Sequence, residues 1–363
     1  MPASKHRCMP SLRLATAAVI GAAALTAVPS YAAAPKQACT GTTGAASLLS
    51  YASGGQPAKA LYVLPKGTPK GIVVFDHGYS HTMYSWVRHL QRTARTLGVI
   101  AVAPDYRGQV DDLKAKPYPS SRGWRVAEGA VDTNAAAALF DRACLHGKGH
   151  NVLYSVSMGG NTAGLALAAK PKRTGGAPMF DEWVDVEGAA NVTETYAGAA
   201  ELAPVNTFAA HAKADIEAEM GGTPEQVPQV FLDRTVVNRV DDIAASGIKG
   251  VVMSHGVADG LVTHDISRQL QVRLRALGVP VDITSFVTHS ATSEAGTTLD
   301  GYAPTGVASP FAGHASEVSE TQDVGKMGFT KLAELYAGTP LYRCRERLID
   351  GLTQRSEYVN LGC

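Results

Sequence analysis

The sequence shows no surplus of either charge sign: 33 Lys and Arg stand against 32 Asp and Glu, for a formal balance of +1. A near-neutral surface gives no electrostatic case for nucleic-acid or anionic-membrane partners. No internal repeat and no long low-complexity linker interrupts the chain, so a repeat architecture is excluded. The apolar run Leu14 to Val28 is shorter than the roughly 20 residues that a spanning helix requires, and polar sequence follows it. Stable membrane insertion is not expected. Cysteine is scarce, with five in 363 residues, and none lies near a catalytic-looking histidine. A thiol nucleophile is therefore set aside.

Lys5, Arg7 and Arg13 give a basic start, Leu14 to Val28 is Ala-rich, and Ala32-Ala33-Ala34 supplies an A-x-A-like cleavage site. Residues 1–33 read as a secretory signal peptide, with an uncleaved anchor as the rival. Cys8 precedes the apolar stretch, so a lipid-anchored form does not fit. The expected location is extracellular. Removal of this segment takes away three positive and no negative charges, turning +1 into −2. Residues 34–363 are expected to form one catalytic domain, since α/β enzymes of this size are often undivided. Cys39, Cys144, Cys344 and Cys363 remain, and an even number in an exported chain favours disulfides over metal or redox chemistry. Of the possible pairings, Cys344–Cys363 with Cys39–Cys144 is preferred. A loop near 20 residues would contribute about 3 kcal/mol.

Strand-like and helix-like segments alternate through this region, which predicts an α/β fold with a mainly parallel sheet wrapped by helices. Gly71 to Asp76, Val99 to Ala103, His150 to Tyr154, Trp183 to Glu187, Ile248 to Ser254 and Val281 to Val287 read as buried strands. Val87, Leu90, Ala94 and Leu97 recur at helical spacing, as do Ile266, Leu270, Leu274 and Leu277. Val126 to Leu145 is Ala-rich and helical in pattern. Residues 190–242 contain no clear strand but two helix-like stretches, near Thr207–Met220 and Gln226–Ala244. This interval is read as a cap or lid insertion, with an ordinary surface excursion as the alternative.

The most informative segment is Tyr154-Ser155-Val156-Ser157-Met158-Gly159-Gly160, lying between an apolar strand and a small-residue helix. This is the strand–turn–helix setting of a nucleophile elbow, where only small side chains fit two residues either side of the nucleophile. Gly159 meets that demand; Ser155 stands where glycine is usual. Ser157 is therefore the candidate acyl-transfer nucleophile. A serine hydroxyl needs a neighbouring histidine to remove its proton, and that histidine needs a carboxylate to fix its tautomer. Asp259 follows an apolar strand that ends at His255-Gly256, which places a carboxylate at the C-terminal edge of the sheet. Asp265 is the rival, in a first helical turn that suits an acid for its dipole alone. Two histidines compete as base: His289, just after a strand, and His314, in a Gly-His turn beyond the polar stretch Ser290 to Ser309. His314 is favoured because small neighbours let its ring approach the serine closely. The oxyanion donors are expected to be the backbone N–H groups of Met158 and Tyr79, the latter in Asp76-His77-Gly78-Tyr79-Ser80.

With these residues in place the chain resembles the α/β-hydrolase superfamily, in particular secreted bacterial serine esterases and lipases. The resemblance rests on His77-Gly78-Tyr79, Pro104-Asp105-Tyr106-Arg107-Gly108, Ser155 to Gly160, His255 to Asp259 and Gly313-His314. It implies an eight-stranded, mostly parallel sheet, a Ser157–His314–Asp259 triad, an acyl-enzyme mechanism, a small-molecule or polymeric ester substrate, and no metal or organic cofactor. Hydrolysis of another acyl bond, such as a peptide, and acyl transfer are the implied alternatives; a non-catalytic binding module is the reading from a different class. The HGGG loop of one esterase group and the HGGPG loop of proline-cleaving peptidases are both missing. The pairing of an aromatic residue with a methionine at the oxyanion positions looks like bacterial cutinase-like polyesterases.

Overall fold

The structure, a computed structural model, describes residues 39, 42–109, 122–257, 259–287, 314, 322–341, 345–350 and 353–361. The expected signal peptide, His289 and the expected Cys344–Cys363 bridge lie outside the described residues.

Ten strands form one sheet: β1 Ser47–Ser53, β2 Gln56–Val63, β3 Gly71–Asp76, β4 Ile100–Pro104, β5 His150–Val156, β6 Glu182–Val186, β7 Gly250–Gly256, β8 Val281–Phe286, β9 Arg345–Ile349 and β10 Ser356–Asn360. Their order is β1-β2-β4-β3-β5-β6-β7-β8-β9-β10. β4, β3, β5, β6, β7, β8 and β9 run parallel to one another, while β1, β2 and β10 pair antiparallel at the two ends. The α/β expectation holds, and the sheet is longer by two C-terminal strands than the eight implied.

The described helices are α1 Val87–Leu97, α2 Val126–Phe140, α3 Met158–Ala168, α4 Val192–Leu202, α5 Thr207–Met220, α6 Pro228–Arg234, α7 Val240–Ala245, α8 His264–Ala276 and α9 Asp323–Tyr336. They cover both faces of the sheet, which explains why the inner strands are apolar without alternation. Successive residues still point to opposite sides. Ile72 and Val74 of β3 join the core beneath α2, α3 and α8, whereas Val73 and Phe75 join the core beneath α1 and α9. Among the described residues, no helix is long and apolar enough to cross a membrane.

The interval 190–242 departs from the expected two helices. Asn191 caps an additional helix, α4, by accepting from the Glu194 N–H, and Asn206 caps α5 in the same way. The second expected stretch is broken into α6, a 3-10 turn Val236–Asn238 and α7, because Thr235 is extended (φ −79°, ψ 110°). The Cys39–Cys144 disulfide is present, joining positions 105 residues apart in sequence.

Candidate active site

Ser157 sits between β5 and α3 with φ 56° and ψ −125°, a conformation that costs a non-glycine residue on the order of 1–3 kcal/mol. Three backbone hydrogen bonds hold it there. Its N–H donates to Val186 O at 3.0 Å, and its carbonyl accepts from Gly160 N–H at 2.8 Å and Ala189 N–H at 2.9 Å. The two glycines that follow are required by crowding. A Cβ on Gly159 would lie 2.3 Å from the Asp76 carbonyl oxygen, and one on Gly160 would lie 2.5 Å from Gly188 Cα. The elbow is thus wedged between the ends of β3 and β6.

Ser155, the departure from the usual glycine, has a specific role in this packing. It is in register with Asp76 on β3 and Asp185 on β6. Trp183 Nε1–H donates to Ser155 Oγ at 2.8 Å, and Ser155 Oγ–H donates to Asp185 Oδ1 at 2.7 Å. A glycine would leave the buried indole N–H without this acceptor. Burial pushes Asp185 up to about 7, against the bond from Ser155 and the charge of His255.

The loop after β3 carries the other expected oxyanion donor. Tyr79 is buried, its hydroxyl donates to Asp215 Oδ2 of α5 at 2.5 Å, and its ring contacts Trp124 and Phe208. The 190–242 interval therefore reaches the loop after β3 through α5. His77 stacks on Tyr106 with centroids 3.9 Å apart, and Tyr106 OH donates to His77 O. Burial depresses His77 to about 3, only partly opposed by its bond to Gly78 O, so the ring is neutral and structural. Met158 is the first residue of α3, and its N–H donates to no backbone carbonyl among the described residues.

Asp259, three residues past β7, meets His314. His314 Nδ1 lies 2.7 Å from Asp259 Oδ2, and both residues are buried. Asp259 is held from every side. Its Oδ1 accepts from the Leu261 and Val262 N–H groups, and its Oδ2 also contacts His255 Nε2 at 3.2 Å. His255 itself donates Nε2–H to Val262 O and pairs Nδ1 with Ser267 Oγ, as a satisfied structural histidine does. Asp265 instead accepts from Gln269 on the exposed side of α8. No Ser157–His314 hydrogen bond occurs among the described residues; such bonds are often long without substrate and tighten when it binds.

One residue escaped the sequence reading. Glu187 was assigned to the end of a strand, yet it lies one residue past β6 with φ 51°. It is fully buried, accepts from Gly256 N–H at Oε1 (3.1 Å), and places Oε2 3.6 Å from His314 Nδ1. An acid on the strand beside the nucleophile's was the available signal. Burial opposes a charge on His314, but the Asp259 carboxylate and then Glu187 outweigh it and raise the imidazole to about 9. Asp259 is correspondingly held below the usual carboxylate range. Glu187, Asp259 and His314 are also the described group whose donor atoms, all within 4.8 Å of one another, could hold a metal. Their donors are already engaged with one another and with backbone N–H groups, as a hydrogen-bonded acid–base site requires.

No protein-family model matches the sequence, and no curated protein sequence matches it. Solved structures do resemble it. An uncomplexed acylaminoacyl peptidase of Pyrococcus horikoshii has a TM-score of 0.54 at 14% identity, over 80% of this chain and 41% of that one. A puromycin hydrolase gives 0.53 at 14% identity, over 81% and 39%. A puromycin-hydrolyzing peptidase of Mycobacterium tuberculosis gives 0.51 at 15%, over 81% and 40%. The chain spans about two fifths of the length of these proteins (41%, 39% and 40%). At this level the likeness is one of architecture: the chain has the α/β-hydrolase fold.

Proposed function

We propose that this chain is an exported serine hydrolase that opens an acyl bond through a covalent acyl-enzyme. Ser157 is the nucleophile, His314 the general base and Asp259 the acid that orients it. The observation that carries this reading is Ser157 at φ 56° on a strand–helix bend, at the same sheet edge as an imidazole 2.7 Å from a buried carboxylate. Export is supported by the Cys39–Cys144 bridge, since disulfides persist in oxidising compartments.

Asp259 accepts the Nδ1–H of His314, which leaves Nε2 to take the Ser157 proton as Oγ bonds to the substrate carbonyl carbon. The carbonyl oxygen becomes an oxyanion, met by the N–H groups of Met158 and Tyr79. Collapse breaks the bond to the leaving group, which departs with the proton from Nε2. Water, deprotonated by the same nitrogen, then attacks the acyl-enzyme, releases the carboxylic acid and restores the serine.

A peptide or other amide is the favoured substrate. The solved structures of similar fold are acylaminoacyl peptidase and puromycin-hydrolysing enzymes, which supports an amide over the ester first suggested by the sequence. A carboxylic ester is the second reading, supported by the aromatic–methionine pair of oxyanion candidates, Tyr79 and Met158.

The test compares wild type with Ser157→Ala on an aminoacyl naphthylamide and a p-nitrophenyl ester, alongside labelling by a fluorophosphonate. Loss of roughly 10⁶-fold in kcat and loss of labelling are expected in the variant. Equal turnover by the two proteins ends the hydrolase reading. Ester turnover without amide turnover selects the ester.

A further inference from the structure

Two buried acids, Asp259 and Glu187, flank His314. We propose that Glu187 is a second positioning residue for His314, sharing its Nδ1 side with Asp259 and able to orient the ring when Asp259 cannot. This rests on the hydrolase reading above.

Two features of Glu187 demand an explanation. It adopts φ 51°, a left-handed conformation unfavourable by roughly 1–2 kcal/mol for an L-residue other than glycine. It also buries a carboxylate completely, which is unfavourable without partners. The turn that strains the backbone is what carries the side chain from the end of β6 across to the end of β7. There Oε1 accepts from Gly256 N–H, and Oε2 points to His314 Nδ1 at 3.6 Å, against 2.7 Å for Asp259 Oδ2. Glu187 is thus both a brace on β7 and a second negative charge on the imidazole.

Two other histidines lie around the base. From the loop after β3, His81 faces His314; burial and then the His314 charge depress it to about 4, so it is neutral. From β7, His255 contacts Asp259 at 3.2 Å; burial opposes its charge, and Asp259 and then Glu187 raise its proton affinity as they do that of His314. The electrostatic influence of Glu187 on His314 acts in the same direction as that of Asp259, raising its proton affinity.

The experiment separates a brace from a charge. Glu187→Gln keeps an oxygen for Gly256 N–H and removes the charge. The acid limb of the kcat/KM–pH profile, where the neutral base appears, is expected to move down by at least about one unit, as for an opposite charge removed at this range. Asp259→Asn is expected to lose less than about 10²-fold in kcat, because Glu187 accepts Nδ1–H in its place; the double variant Glu187→Gln/Asp259→Asn is expected to lose the roughly 10⁴-fold that follows removal of the orienting acid. An unmoved acid limb in Glu187→Gln overturns the proposal. If that variant does not fold, an Asp259→Asn protein that loses the full roughly 10⁴-fold overturns it instead. A wild type that takes no fluorophosphonate overturns the hydrolase reading and this one together, whereas a labelled, active wild type with either failure above removes only the role of Glu187.

Discussion

The elbow and the acid–base corner lie past the ends of β5 and β7, two strands apart in the sheet, yet they are held by different forces. At the elbow, position is enforced by steric exclusion: Gly159 and Gly160 press against backbone that leaves no room for a Cβ, and Ser157 is pinned by three main-chain bonds. At the corner, position is enforced by charge and hydrogen bonding among Asp259, Glu187, His255 and His314. Sterics are indifferent to pH, and hydrogen-bonded charges are not. Chemistry that needs a fixed nucleophile and a titrating base therefore draws each from the kind of structure suited to it.

The contrast can be broken at its strongest point by Gly159→Ala. The added methyl meets the Asp76 carbonyl oxygen, which belongs to backbone and cannot swing aside. Activity is expected to fall by more than about 10²-fold, the effect of a misplacement near 1 Å, with an unchanged pH profile in the residue that remains; a stopped assay across pH checks both. Next in size, the wild-type kcat/KM is expected to rise with pH to half its plateau near about 9, the value to which His314 is lifted. Because the folded value lies above the ordinary 6.5, the stability contributed by protonated His314 is complete below about 6.5 and is lost as pH rises through about 9. Asp259 behaves oppositely: its contribution is present above 3.8 and disappears as pH falls towards about 2. Chemical denaturation at pH 6 and pH 10 reads the first of these.

A smaller effect sharpens the comparison. Ser155→Gly restores the commoner motif, yet is expected to lower stability by about 1–3 kcal/mol, the cost of leaving a buried donor unsatisfied. An increase in the melting midpoint would contradict this. Smallest of all, Tyr79→Phe removes the bond to Asp215 and is expected to cost about 0.5–1.5 kcal/mol, with the backbone donor intact and kcat little changed.

Much of the scaffold was legible because buried parallel strands are written as plain apolar runs. Gly71–Asp76 and Thr207–Met220 were delimited correctly to the residue. The alternation of elements gave the α/β fold. What escaped did so for physical reasons. β9 (Arg-Glu-Arg-Leu-Ile) and β10 (Ser-Glu-Tyr-Val-Asn) lie at an edge where one or both faces meet water, so their composition is polar and carries no core signature. β1 and β2 are half-exposed as well; the Gly54-Gly55 turn between them, with both φ positive, was the usable signal. Of the site, Ser157 and Asp259 could be named because each follows an apolar strand among small residues, and His314 because small residues flank it in the sequence. Glu187 could not, because a one-residue change from strand to left-handed backbone reverses where a side chain points, and no sequence period records it.

The disulfide between Cys39 and Cys144 encloses β1 to β4, α1, α2 and the Tyr79 loop, while Ser157, Asp259 and His314 all lie beyond it. In chain order both sulfurs precede all three of those side chains. The clasp closes around the first portion of the sheet alone, so the strands from β5 onward lie outside the covalent loop. A reductant would act on that first portion and on the Tyr79 loop, without touching the bonds that hold Ser157, Asp259 and His314.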